Sequence, residues 1–260
     1  MSAFGVNHRM RPRLEWLGSD SFRIGALQFH CSIASHDSRT VVGRIVLLKP
    51  KAFIHTYIEL LERLQAKNVL EFGIWQGGSA LFMAAMGKLD RLVGIDIEEP
   101  LPDLEKILAS NPVGRSIGLH FRTSQDDTKA VRSIVEREFG STPLDMIVDD
   151  ASHFYAETRA SLEATCGYLR PDGMYIIEDW GWSHWPDWQD PSHPWSEREA
   201  LSNLVFELAM AVGSKSRQIT KVETLSCAMV AITRGHGLAH GEPMDLSSQI
   251  MSRSRLPSRI

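Results

Sequence analysis

The stretch "NVLEFGIWQGGSALFMAAMGKLDRLVGID", residues 68–96, carries the reading from which the fold follows. "NVLEFG" (68–73) is a short apolar run of strand length, "GSALFMAAMGKL" reads as a helix, and "LVGID" (92–96) is a second strand. A glycine turn joins the first strand to the helix. Strand, helix and strand in this order make a βαβ unit. The alternation continues downstream with apolar runs "GLHF" (118–121), "LDMIVDD" (144–150) and "MYIIED" (174–179). Between them lie the helix-like segments "LEKILAS", "KAVRSIVEREFG" and "FYAETRASLEATCGYL". Upstream, "KAFIHTYIELLERLQA" spaces Phe53, Ile54, Tyr57, Leu60, Leu61 and Leu64 as one helical face. The pattern predicts an α/β fold, a Rossmann-like, mostly parallel sheet with helices on both faces. "EREALSNLVFELAMAVG" reads as a further helix, and "QITKVETLS" and "CAMVAITRG" read as an antiparallel pair at one edge of the sheet. Residues 1–50, where "RIGALQF" reads as a strand, are an N-terminal extension packed on the core. Residues 51–236 form the main domain, and 237–260 form a polar C-terminal tail with the character of an arm or an oligomer contact.

Composition narrows the function. The net charge of −4 gives no basic field for nucleic acid. No apolar run is long enough to span a bilayer, and the N-terminus lacks the apolar segment of a secretory signal. Cys31, Cys166 and Cys227 are widely spaced and form neither a disulfide framework nor a metal-binding cluster, which predicts a cytoplasmic protein.

The glycine turn places backbone N–H groups and a helix N-terminus beside a ligand. A dinucleotide site wants G-x-G-x-x-G, with its second glycine admitting a pyrophosphate. Here Trp75 stands two residues after Gly73, so the pattern is Glu71-x-Gly73-x-x-x-Gly77-Gly78. Asp96 ends the next strand, where a carboxylate can accept ribose hydroxyls. Together these features favour a nucleoside without phosphates, although a purely structural turn and an ordinary strand-end acid fit each motif taken alone.

Two acid pairs, Asp149-Asp150 and Glu178-Asp179, end apolar runs on parallel strands. Ligands of open α/β sheets sit beyond those ends. Neighbouring strands lie about 5 Å apart, so the carboxylates would converge and raise one another's pKa. A hard divalent cation such as Mg²⁺ relieves that conflict, with Asp150, Glu178 and Asp179 as ligands. Helix capping or solvation is the competing reading for any single pair. His153, three residues after Asp150, is a candidate general base, since imidazole titrates near pH 6.5. Alone it reads equally as a helix-start residue.

At the level of these motifs, residues 51–235 resemble the class I S-adenosylmethionine-dependent methyltransferases. That resemblance implies a seven-stranded sheet with a reversed last strand. It implies Gly73 and Gly77 at the methionine part of the cofactor, Asp96 at the ribose, and Gln125 and Asp126 of "RTSQDD" flanking the adenine. The stretch "VDDASHFYAETRASLEATCGYLRPDGMYIIEDW" (148–180) is more specific. It resembles the metal-dependent sugar O-methyltransferases of macrolide biosynthesis, of the mycinamicin and tylosin type, and the cephalosporin hydroxylase-like proteins. The family pattern has Gly where Ala151 and Asp172 stand here. The resemblance implies Mg²⁺ on Asp150, Glu178 and Asp179, with His153 as base. It implies methyl transfer from S-adenosylmethionine to a hydroxyl of a small molecule such as a sugar or polyketide.

"EDWGWSHWPDWQDPSHPW" (178–195) follows the last acid and holds five of the seven tryptophans. Trp180, Trp182 and Trp185 are candidate walls of an acceptor site, with Trp188 beside them. Packing on the extension or on another subunit of a homo-oligomer is an equal reading. Three rivals remain. They are a nicotinamide-dependent oxidoreductase, a hydroxylase, and a non-catalytic binding protein on the same fold.

Overall fold

A computed structural model describes residues 13–31 and 39–251. Its centre is a seven-stranded sheet built from β5 (Asn68–Phe72), β6 (Arg91–Ile95), β7 (Ile117–His120), β8 (Leu144–Asp149), β9 (Leu169–Glu178), β10 (Ile219–Ser226) and β11 (Met229–Arg234). The strand order is β10-β11-β9-β8-β5-β6-β7. β8 pairs in parallel with both β5 and β9, while β11 runs antiparallel to β9 and β10. The late strand pair is therefore antiparallel, but only β10 lies at the edge, because β11 is inserted beside β9. Helices cover both faces. α1 (Lys51–Leu64), α2 (Gly78–Gly87) and α3 (Pro102–Ser110) pack on one, and α4 (Thr128–Phe139), α5 (Tyr155–Thr165) and α6 (Ser202–Gly213) on the other. No helix among the described residues is long and apolar enough to cross a membrane.

The N-terminal residues build a second, four-stranded sheet from β1 (Leu14–Trp16), β2 (Ser21–Ile24), β3 (Leu27–Cys31) and β4 (Ile45–Leu47). "RIGALQF" is thus not one strand. Gly25, at φ +58°, turns it into the β2–β3 hairpin. This sheet shares its core with the main domain, where Phe22 and Phe29 stack and meet Phe82 of α2 edge-on.

Two glycines set the geometry of the site. A Cβ on Gly73, at φ +78°, would lie 2.2 Å from the Asp150 carbonyl oxygen. Glycine there lets the end of β8 approach the turn after β5, which is a reason independent of any ligand. A Cβ on Gly78 would lie 2.1 Å from the Val46 carbonyl, so the start of α2 can sit directly on β4.

Residues 237–251, read from their polar composition as a tail, fold back on the core. Leu238, Met244 and Leu246 are buried, and the Met244 amide donates to the Glu163 carbonyl at 2.8 Å. Three well-spaced apolar residues suffice to anchor the segment, too sparse a signal to register as an element. Residues 252–260 lie outside the described residues.

Candidate active site

Pleating decides which strand-end acids share a face, since successive side chains point to opposite sides of a sheet. Asp149 faces α5 and Asp150 does not. Asp149 accepts hydrogen bonds from the Tyr175 hydroxyl at 2.6 Å, the Ser161 hydroxyl at 2.7 Å and the Gln125 amide at 3.2 Å. Burial raises its pKa, and the Tyr175 and Ser161 bonds pull it back. Gln125 is itself buried, and its Oε1 accepts from the Ser152 amide at 2.9 Å. Its side chain supports the turn after β8. Asp126 is exposed and accepts from the Ser124 hydroxyl.

On the other side the end of β8 meets the end of β9. Asp150, His153 and Asp179 each offer a ligand atom within 4.8 Å of the other two, and all three are partly solvent-accessible. Donors across one octahedral ion of this size are separated by about 3–4 Å. Two carboxylates and an imidazole at this spacing therefore fit a small divalent cation. His153 and Asp179 adopt left-handed backbone, at φ +60° and +50°. Non-glycine residues in that region concentrate at functional turns. Asp179 is anchored by its amide, which donates to the Ala228 carbonyl at 2.6 Å. Burial raises the Asp179 pKa, with His153 acting in the opposite direction.

Glu178, expected as a ligand beside Asp150 and Asp179, has protein partners of its own. It is buried on the α1 face, where it accepts from Lys49 Nζ at 2.6 Å and from the Tyr57 hydroxyl. Lys49 Nζ also bonds Asp150 Oδ2 at 2.8 Å. Burial, reinforced by the charge of Asp150, pushes Glu178 up to about 7, and the Lys49 contact partly offsets this. Burial would lower the Lys49 pKa, but Asp150 and Glu178 outweigh it and hold the ammonium charged. Sequence reasoning missed both partners. Tyr57 reads as one more core position of α1, and Lys49 carries no motif. The weak available signals were a hydroxyl in an otherwise wholly apolar face and a lysine directly behind "IVLL".

At the glycine turn, Asp96 follows β6 and lies one strand over from Gly73. Its Oδ2 accepts from the Ile74 and Trp75 amides, both at 2.8 Å, and its Oδ1 from the Glu98 amide at 2.9 Å. A carboxylate offers about four acceptor sites, so three accepted amides leave room for a further donor such as a ribose hydroxyl. Trp75 takes left-handed backbone at φ +41° within this turn.

Glu71 is completely buried beneath the turn, and neither carboxyl oxygen has a hydrogen-bond partner among the described residues. Burial pushes it up to about 8, against the pull of nearby Ser79 and Lys49. The folded protein thus holds a proton that the unfolded chain releases near its ordinary 4.5. Such a group stabilises the fold fully below 4.5 and loses that contribution as pH rises to 8, by about 1.4 kcal/mol per unit. Urea unfolding in chelator at pH 5.5 and 7.5 is expected to show a loss of about 2–3 kcal/mol from this group in the wild type. Glu71→Gln should remove that component. Parallel pH dependence in both proteins would contradict the assignment.

The tryptophan loop folds over the His153–Phe154 turn. Trp182 is buried, its indole donates to the His153 carbonyl at 2.7 Å, and its ring meets Trp195 at 5.2 Å and Trp188 at 5.4 Å. Trp195 also packs on Phe154 at 4.8 Å. Trp182 is therefore the anchor of an aromatic cluster and not an open wall. Trp180 packs against the core on the α4–α6 face of the sheet, and Trp185 is half-buried. Trp182→Ala is expected to destabilise the protein by about 3–5 kcal/mol, as large-to-small core changes do. A thermal melt unchanged by the substitution would show the ring to be dispensable for folding. A separate cavity of about 630 Å³ opens at the β7 edge, lined by Pro100, Glu105, Phe121 and Arg122 among others, and none of the clustered acids lines it.

The strand order with its reversed β11, and a site at the carboxyl ends of β5, β6, β8 and β9, define the class I methyltransferase fold. The sequence profile of the rhamnosyl O-methyltransferase/CmcI family matches residues 36–208, and the chain belongs to that family. The mycinamicin VI 2''-O-methyltransferase of Micromonospora griseorubida is 29% identical over 141 residues, which are 51% of this chain and 32% of that protein. The demethylmacrocin O-methyltransferase of Streptomyces fradiae is 30% identical over 134 residues, 49% of this chain and 31% of that one. The matches thus span about a third of the length of these relatives. The structure of the MycE methyltransferase from the mycinamycin pathway, in complex with Mg and SAH, has the same fold. It aligns with a TM-score of 0.54 and 22% identity over 70% of this chain and 49% of that one.

Proposed function

We infer that the protein is a divalent-cation-dependent O-methyltransferase, moving a methyl group from S-adenosylmethionine to a hydroxyl of a small glycosylated natural product. The observation that carries this reading is the convergence of Asp150, Asp179 and His153 beside the glycine turn, in a chain of this family. When bound, the sulfonium cofactor supplies an electrophilic methyl group, and Mg²⁺ supplies a positive charge that acidifies an acceptor hydroxyl. Asp150 and Asp179 would hold the cation, with Glu178 in reserve behind Lys49. The His153 imidazole is accessible at the edge of the cluster, where it can take the hydroxyl proton. Asp96 and the backbone around Gly73 and Gly77 would hold the nucleoside and the methionine part, above the neutral acid Glu71. Trp185, and Trp180 in part, remain candidates for the acceptor side, while Trp182 fixes the loop on the turn that carries His153. Residues 51–236 would form the catalytic unit, to which the N-terminal segment adds Lys49. The free cysteines Cys31, Cys166 and Cys227 suit a reducing, cytoplasmic setting.

The test is transfer of labelled methyl from S-adenosylmethionine to a panel of macrolide glycosides and free deoxysugars. Transfer should require Mg²⁺ or Mn²⁺ and stop in excess chelator. Turnover that persists in chelator would contradict the metal-dependent reading.

A further inference from the structure

The acidic centre already contains one cation of its own. Lys49 sits between the end of β4 and Pro50, the residue before α1, and its side chain is 4% exposed. The ammonium lies 2.8 Å from Asp150 Oδ2, 2.6 Å from Glu178 Oε1 and 5.5 Å from the centre of the Tyr57 ring. The Tyr57 hydroxyl donates to the same oxygen of Glu178, which fixes the pair further. Asp150 belongs to two groups at once. It is bridged to Glu178 by Lys49, and it clusters with Asp179 and His153 on its open side. Asp150 is 25% exposed at its side chain, against 3% for Glu178, so solvent and ions reach the pair through Asp150.

Two carboxylates this close, one of them buried, repel each other strongly unless a cation lies between them. A lysine ammonium supplies one charge and three donors but no coordination sphere. A divalent ion arriving at Asp150 meets a fixed positive charge on the far side of the same carboxylate. We propose that Lys49 is the resident counter-ion of the acidic centre, holding Asp150 and Glu178 together without metal and competing with a divalent cation for them. This rests on the metal-site reading above. The fold thereby keeps its acids ordered before the metal arrives, at the expense of metal affinity. The β4–α1 junction is then coupled to metal occupancy, because Lys49 must loosen its hold on at least Asp150.

Mn²⁺ binding followed by electron paramagnetic resonance tests the proposal on wild type, Lys49→Met, Lys49→Arg and Asp150→Asn. Lys49→Met should bind Mn²⁺ at least tenfold more tightly than wild type, melt at a lower temperature without metal, and gain more from adding it. Lys49→Arg should stay close to wild type. If wild type binds Mn²⁺, Asp150→Asn does not, and folded Lys49→Met binds no more tightly, the competition proposal fails while the metal site stands. If neither wild type nor Lys49→Met binds Mn²⁺, both fail. Should Lys49→Met not fold, wild-type protein carrying lysine labelled with ¹⁵N at Nζ gives the answer directly. The Lys49 ammonium resonance should shift, and exchange faster with water, as Mg²⁺ is added. A resonance unmoved at saturating Mg²⁺ would overturn the proposal.

Discussion

Replacing His153 with asparagine is expected to lower kcat by about 10²–10⁴ while leaving the affinity for S-adenosylmethionine unchanged. Asparagine is the informative replacement because the residue sits at φ +60°, a region that Asn and His both tolerate. The hydrogen bond from the Trp182 indole goes to the backbone carbonyl of His153, so the aromatic cluster survives the change. What the variant loses is a nitrogen that can accept a proton. Its pH–rate profile should also lose the inflection that a general base contributes. The measurement is single-turnover methyl transfer across pH 5.5–9 at saturating cofactor. Near wild-type rates at neutral pH would assign proton removal to one of the acids or to water.

Asp150→Asn is expected to have the larger effect on the metal. Loss of a supporting residue around a metal ligand typically costs 10–100-fold in affinity, so loss of a ligand charge should cost at least about 100-fold. The substitution keeps the shape of the side chain and an oxygen for Lys49, and the Asp150 amide still donates to the Phe72 carbonyl at 3.0 Å. The fold should therefore persist, and cofactor binding near Gly73 with it. Calorimetry with Mn²⁺ and with S-adenosylhomocysteine separates the two. Unchanged Mn²⁺ affinity would move the metal away from Asp150.

The central sheet was legible in the sequence because buried parallel strands read as apolar runs, and the acids that close them stand out against that background. "LDMIVDD" and "MYIIED" do lie side by side, as β8 and β9. The pleat also explains what the pattern left undecided. Of the two neighbours Asp149 and Asp150, only Asp150 reaches the open cluster, and Glu178 turns to the α1 face. The periodicity of an isolated strand does not reveal which helix will cover which face. Lys49 and Tyr57 were invisible for a related reason, since their partners lie 129 and 121 residues away in the chain. Gln125 and Asp126 came from the resemblance by position, and the direction of a loop side chain depends on the turn, which for Gln125 aims it at Asp149 and Ser161. The role of Trp182 depended on knowing that Trp188, Trp195 and Phe154 converge on it, which loop composition does not encode.

The account rests first on the nucleoside site at the ends of β5 and β6. Titration calorimetry of the full chain with S-adenosylhomocysteine and with NAD tests it most directly. The account predicts saturable, one-to-one binding of S-adenosylhomocysteine, weakened in Asp96→Ala, and no binding of NAD. Binding of NAD with no response to S-adenosylhomocysteine would contradict it.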